Sequence, residues 1–168
     1  FGEALRATPP GNDADVMLPH FVSEITPLVL EPEARRAGSD AFLNGYSVPG
    51  KEVRAVVEGQ AISMLLHAKW IGETLERVRM TGGGSKDKDV AQVFADVFQA
   101  RMETIAVSNS AGLGAAIIAA NGAGDYAFED LFDKFAATVD ATFTNVASDI
   151  YTKTIAAYAE LEKEKLAE

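Results

Sequence analysis

The 168-residue sequence has no cysteine, and its two histidines, His20 and His67, stand far apart. Disulfides and thiol chemistry are excluded, and there is no His/Cys cluster to hold a metal. The lack of cysteine fits a reducing cytoplasm. No window approaches the roughly 18 uninterrupted apolar residues of a membrane span. Basic residues are in short supply: 15 Lys and Arg against 25 Asp and Glu leave a net charge of −10. That balance argues against nucleic acid or an anionic membrane as a partner, since both require basic patches. Phosphate loops of the Gly-x-x-x-x-Gly-Lys-(Ser/Thr) type are absent. The chain starts at Phe1 with no initiator Met, basic n-region or secretory h-region, as expected of a processed chain or an excised piece of a longer polypeptide.

What is present is a 48% hydrophobic chain able to bury a core, of a length that makes one domain or one lobe of something larger. Residues 1–13 contain Thr8-Pro9-Pro10-Gly11-Asn12-Asp13 and read as a turn-rich linker, which sets a segment 1–15 ahead of a domain 16–168. Val16, Met17 and Leu18 read as a short strand stopped at Pro19. Residues 22–50 read as irregular, with a brief extended piece near Ala41–Leu43. From Lys51 the period changes. Val53, Val57, Ala61, Met64, Ala68, Ile71 and Leu75 share one helical face, which predicts a helix to about Thr74.

Arg77 to Thr81 then reads as a strand running into Gly82-Gly83-Gly84-Ser85, and Val90, Val93, Phe94, Val97 and Phe98 stripe a helix near 87–99. A strand is expected over Met102–Val107. A helix capped from Ser108-Asn109-Ser110 follows, striped by Leu113, Ala116, Ile117 and Ala120 and stopped at Gly122-Ala123-Gly124. Phe128, Leu131, Phe132 and Phe135 mark a short helix. Ile150, Thr154, Ala157, Tyr158 and Leu161 mark a long one that ends in the charged run 160–168. This order is α/β. Two to four strands are few for a self-sufficient sheet, so part of the sheet is expected elsewhere, and the chain is expected to pair with another chain or homodimerise.

Three consecutive glycines suit neither strand nor helix, because glycine loses the most backbone entropy on ordering. At a strand-to-helix junction they suit a backbone that turns sharply and lets a phosphate lie against N–H groups and the helix N-terminus. A plain tight turn is the alternative. Arg54 is open to a buried ion pair, Glu58 to a bond with a neighbouring loop, and Trp70 and the Phe128/Phe132/Phe135 stripe read as core. His20 and His67 read as packing or surface residues, not as bases or ligands.

Four segments, in order, carry a resemblance: Leu18-Pro19-His20-Phe21-Val22-Ser23-Glu24-Ile25-Thr26-Pro27, Arg54-Ala55-Val56-Val57-Glu58-Gly59, Thr81-Gly82-Gly83-Gly84-Ser85 with Ala95-Asp96-Val97, and Ala111-Gly112-Leu113-Gly114-Ala115-Ala116. Together they resemble the C-terminal part of the FGGY carbohydrate kinases, such as xylulokinase, in the actin/hexokinase superfamily, over roughly residues 16–165. The departures are Lys88-Asp89-Val90 where an aromatic usually follows the glycines, Ile25 for an Arg, Ser23 for a Gly, Lys51-Glu52 before Arg54, and Asn109 or Ser110 for a Glu.

The resemblance implies the C-terminal lobe of an actin-like ATPase, a ribonuclease H-like fold, helix-rich and with an incomplete sheet. It implies a nucleotide-holding lobe that uses ATP and Mg²⁺, while a sugar (a ketopentose such as xylulose) and the catalytic base lie on an N-terminal lobe. No residue here is then catalytic or metal-ligating. Gly82, Gly83 and Gly84 are expected to cradle the nucleotide. Ser85 and Asp87 are expected at ribose or adenine, with N-capping as their alternative; repulsion keeps Asp87 from the phosphates. Gly112 and Gly114 are expected to allow a close approach, and Glu24 and Thr26 to lie near an interlobe cleft. No Gly-Thr occurs, so a second phosphate turn of Gly-Thr-Ser type is absent. The chain alone is expected to be inactive. The rival reading is a non-catalytic actin-like interaction or regulatory domain with a degenerate nucleotide site.

Overall fold

The computed structural model describes residues 1–72, 74–107, 109–124, 126–136 and 139–166. The chain begins with helix α1 (Gly2–Arg6) and a 3-10 turn (Pro10–Ala14), where a linker was expected. Leu5 is buried, and Arg6 pairs with Asp89. Strands β1 (Val16–His20) and β2 (Glu33–Ala37) then form an antiparallel pair, with Val16 opposite Ala37 and His20 opposite Glu33. Pro19 lies inside β1 instead of ending it. In a two-stranded sheet each strand has a free edge, where a missing N–H is tolerated. The sequence of β2, Glu-Ala-Arg-Arg-Ala, carries no strand pattern, and it is extended because it pairs with β1. Ala41–Leu43, expected extended, belongs to helix α2 (Asp40–Leu43), where the Ser39 hydroxyl accepts from the Phe42 N–H at 3.4 Å.

Helix α3 (Pro49–His67) starts with proline in its first turn, where the N–H is unused anyway. It stops before the expected Thr74, because a 3-10 turn (Lys69–Ile71) follows and Gly72 takes a left-handed φ of 73°. That turn leaves Trp70 84% exposed, so Trp70 is not a core residue. Within α3, Gly59 permits contact with β1, since a Cβ there would collide with the Met17 carbonyl oxygen.

Strand β3 (Arg77–Met80), helix α4 (Lys88–Phe98) and strand β4 (Arg101–Ile105) form a β-α-β unit, with Arg77 opposite Arg101 and Met80 opposite Thr104 in parallel. Helix α5 (Ser110–Gly122), helix α6 (Phe128–Phe135) and strand β5 (Val139–Phe143) follow; β5 pairs antiparallel with β4. The sheet order β3-β4-β5 leaves β3 at an edge with no further strand among the described residues. Ser108, one of the expected caps, and residues 167–168 of the charged run lie outside the described residues. Helix α7 (Ser148–Leu166) closes the chain.

The larger of two buried apolar clusters joins the helices to β1, and a smaller one of Met17, Phe42 and Ala55 lies under β2 and α2. Leu5, Val16, Leu18, Val57, Ala61, Ile62, Val93, Val97, Tyr151, Tyr158 and Leu161 bring α1, β1, α3, α4 and α7 into contact. Each fully buried aliphatic side chain there is worth about 1.5–3 kcal/mol. The stripe on α6 does not join it: Phe128, Phe132 and Phe135 are 46%, 38% and 47% exposed, and Leu131 is the buried residue of that helix.

Candidate functional site

The triple glycine leaves β3 at its C-terminal end. Gly82 has φ 88°, a left-handed conformation that side chains rarely adopt. Gly84 to Lys86 form a 3-10 turn, and the Ser85 hydroxyl donates to the Gly82 carbonyl at 2.8 Å. Asp87 is the N-cap of α4, its Oδ1 accepting from the Asp89 and Val90 N–H groups at 2.9 and 3.4 Å. The capping alternative therefore describes Asp87 in this structure, while the Ser85 hydroxyl closes the turn.

On the neighbouring strand, β4 ends at Ile105 and the chain enters α5, where Asn109 Oδ1 accepts from the Gly112 N–H at 2.9 Å. The Thr81 hydroxyl donates to the Ser110 hydroxyl at 2.9 Å and joins the glycine turn to α5. The turn and the α5 N-terminus thus face each other outside the carboxyl ends of two adjacent parallel strands. Open α/β sheets bind ligands outside the carboxyl ends of their strands where the strand order reverses; the order β3-β4-β5 has no reversal here, so the candidate site rests on the glycine turn and the α5 N-terminus themselves.

The glycines here differ in what the protein itself requires of them. Gly82 is set by its φ, and a Cβ at Gly84 would press Met80 Cε at 3.2 Å. Gly83 has an ordinary helical φ of −61°, and a Cβ there would meet nothing within 4 Å. Gly114, inside α5, would likewise meet nothing, although a mid-helix glycine costs about 1 kcal/mol relative to alanine. Neither backbone conformation nor packing among the described residues explains Gly83 or Gly114.

The other expected residues lie away from this mouth. Glu58 Oε1 accepts from the Gly11 N–H at 3.0 Å, Arg54 at 2.9 Å and the Tyr151 hydroxyl at 2.6 Å. Arg54 also donates to the Thr8 hydroxyl at 2.8 Å and to the Leu5 carbonyl. Burial pushes the Glu58 carboxyl above its usual range, against the hydrogen bonds from Tyr151, Arg54 and Gly11; burial and Glu58 push the Tyr151 hydroxyl up as well. This network clamps the first residues onto α3 and α7. Asp15 serves the same end. Burial works against its carboxylate, but hydrogen bonds from Lys51 and Ser39 outweigh it and hold its pKa below the usual value. His20 is buried, and His67 pairs with Glu162 at 3.1 Å. Glu24 and Thr26 line a cavity of about 290 Å³ with His20, Gln60 and Ser63.

Two polar sites have functions that motif reading missed. Asp96, from the Ala-Asp motif, is buried and accepts from the Val146 and Ala147 N–H groups at 2.6 and 3.3 Å, which holds the entry to α7. Glu103, 5% exposed, lies 3.2 Å from Arg101 and 3.5 Å from Arg79. The alternation Arg77-Val78-Arg79-Met80 and Arg101-Met102-Glu103-Thr104 was the available signal. No group of three or more acidic or histidine residues fit for a metal ion occurs among the described residues.

Residues 5–123 match the FGGY family of carbohydrate kinases, C-terminal domain. The xylulose kinase of Rattus norvegicus is 34% identical over 97% of this chain and 31% of its own length. That of Lactococcus lactis subsp. lactis is 30% identical over 79% of the chain and 25% of its own length. Among solved structures, a ligand-bound xylulose kinase from Lactobacillus acidophilus superposes with a TM-score of 0.82 at 19% identity, covering 98% of this chain and 34% of that one. A Plasmodium falciparum glycerol kinase solved with ADP superposes with a TM-score of 0.74 at 20% identity, over 98% of this chain and 33% of that one. The chain spans about a third of the length of these relatives. With that family match over most of its length and a relative 34% identical across it, the chain belongs to the FGGY family of carbohydrate kinases and carries its C-terminal domain.

Proposed function

We propose that residues 16–168, with the segment 1–15 clamped to them, are the nucleotide-holding lobe of a carbohydrate kinase. Such a kinase transfers the γ-phosphoryl group of ATP to a sugar hydroxyl, and a ketopentose such as xylulose is the favoured acceptor. Phosphoryl transfer is mostly positioning and charge stabilisation, so a backbone cradle at Gly82, Gly83 and Gly84 suits it. Ser85 and Asp87 sit at the rim of that cradle, toward ribose or base. Mg²⁺ prefers substrate phosphates with one or two carboxylates. With Asp87 engaged as a cap, the ion would be held by the nucleotide and residues outside this chain.

The observation that carries this reading is the glycine turn at the carboxyl end of β3, joined to the first residue of α5 by the Thr81–Ser110 contact, with room for a Cβ at both Gly83 and Gly114. Surface area supports the need for the rest of a kinase. A self-contained chain of 17.9 kDa would expose about 8,000 Å², whereas this one exposes 9976 Å². Helix α5 has no charged residue, yet Ile117 is its buried side chain and Ile118 is 68% exposed. The edge of β3 and this helix are the surfaces an N-terminal lobe, or another chain, would cover. No described helix is long and apolar enough to cross a membrane, and the cytoplasm is the proposed location.

Thermal unfolding with ATP and Mg²⁺ tests this. A ligand at 100 times its Kd adds about 2.7 kcal/mol. Gly83→Ala and Gly114→Ala should weaken ATP at least about tenfold, ~1.4 kcal/mol, while Gly114→Ala gains about 1 kcal/mol of stability from helix propensity. The chain alone should transfer no phosphoryl group to xylulose. The engagement of Ser85 and Asp87 in turn and cap favours the rival, a non-catalytic interaction or regulatory module. Unchanged stability at millimolar ATP would decide for it.

A further inference from the structure

Beyond the pair Met80–Thr104 the β3–β4 ladder ends and the two strands part, one into the glycine turn and the other toward α5. Nothing in the ladder sets their separation there. Thr81 is the first residue after β3, and Ser110 is the first of α5, so their 2.9 Å hydrogen bond spans the mouth where it opens. The other end contacts of α5 are local: Asn109 holds Gly112, and the Asn121 side chain donates to the Tyr126 carbonyl at 2.9 Å. With Ile117 as its buried side chain, α5 is weakly anchored by packing, so a polar tie at its first residue has leverage. Threonine suits that tie because its branched Cβ restricts χ1 and aims the hydroxyl. Here Asn109 takes the cap and Ser110 takes the contact with Thr81.

We propose that Thr81 and Ser110 form a hydroxyl clasp that fixes the width of the nucleotide mouth between the glycine turn and α5. Both are positioning residues. The clasp rests on the reading of this mouth as a nucleotide site. Without it, α5 swings from the turn and the two sides no longer approach one nucleotide together.

The test is a double-mutant cycle on the 168-residue chain, read by calorimetric titration of ATP with Mg²⁺ and by hydrogen exchange of the α5 amides without nucleotide. Thr81→Val and Ser110→Ala should each weaken ATP about threefold to tenfold, the scale of one neutral hydrogen bond. The double variant should lose no more than either single one. Thr81→Ser and Ser110→Thr, which keep the hydroxyls, should bind as the wild type does, a rescue that a purely structural role would not produce. Wild-type binding in both single variants, or losses that multiply in the double variant, would overturn the clasp. A wild type that binds no ATP would instead overturn the nucleotide reading. Exchange then decides the clasp by itself: faster α5 exchange in Thr81→Val supports it, and unchanged exchange refutes it.

Discussion

The half of the molecule built on α3 and the half built on α5 are both apolar, but they are used differently. Around α3, Ala61 and Ile62 are at most 1% exposed, and even the charged Arg54 and Glu58 are buried and paired. Around α5, a helix with no charge at all leaves Ile118 68% exposed, and its neighbour α6 leaves three phenylalanines partly open. A helix that is hydrophobic all round is normally buried. The α3 half holds most of the buried core, although Ile25, Leu30 and Met64 there remain 89%, 77% and 58% exposed. The α5 half buries far less of its own apolar surface, and the glycine turn lies on that side.

The largest expected effect that separates the halves is Arg54→Ala. It leaves Glu58 buried without its cation and should cost about 3–5 kcal/mol in urea unfolding at neutral pH. Burial has already raised the Glu58 pKa, so the loss should shrink as pH falls and the carboxyl takes up a proton. A loss below 1 kcal/mol would mean that the clamp on residues 1–15 is not part of the core.

Next comes a matched pair. Ile62→Ala should cost about 2–5 kcal/mol through the cavity it leaves, whereas Ile118→Ala should change stability by no more than about 0.5 kcal/mol. Equal costs would erase the distinction between the halves. Gly59→Ala should cost about 1–3 kcal/mol, because the added methyl must push β1 away at the Met17 carbonyl. Gly83→Ala on the open side should cost almost nothing.

The smallest effect is in pH. Burial lowers the His20 pKa below 6.5, against Glu162 and Glu24, which raise it, while Arg35 and His67 add to the lowering. Below 6.5 the unfolded chain binds a proton that the folded chain resists. The His20 contribution is therefore complete above 6.5 and is lost as pH falls through the folded value. His20→Gln should flatten the fall in Tm between pH 7.5 and 5.5. An unchanged slope would place the acid sensitivity elsewhere.

Much of the α5 half was legible in residues alone. The β3–Gly turn–α4 junction shows because three glycines punctuate two periodic stretches, and α5 shows because Asn109 is a local capping residue. Local chemistry has a local signature. The helix over Ala41–Leu43 was missed because Ser39 capping and the burial of Phe42 outweigh the surrounding punctuation. Strands β2 and β5 were missed because Glu33–Ala37 and Val139–Phe143 are extended only through the partners they find, β1 and β4.

The long helices, the β3–α4–β4 run, the glycine turn and the family motifs follow from the residues themselves, since period, capping and turn chemistry act over a few neighbours. Which glycines are required by the protein and which face open space depends on what stands 4 Å away, and sequence spacing does not reveal that. The same holds for Asp87 as a cap, for Arg54 and Glu58 as a clamp, and for the hydroxyl contact between Thr81 and Ser110. Each joins or separates groups through three-dimensional packing, so their part in the protein was decided only when the chain closed on itself.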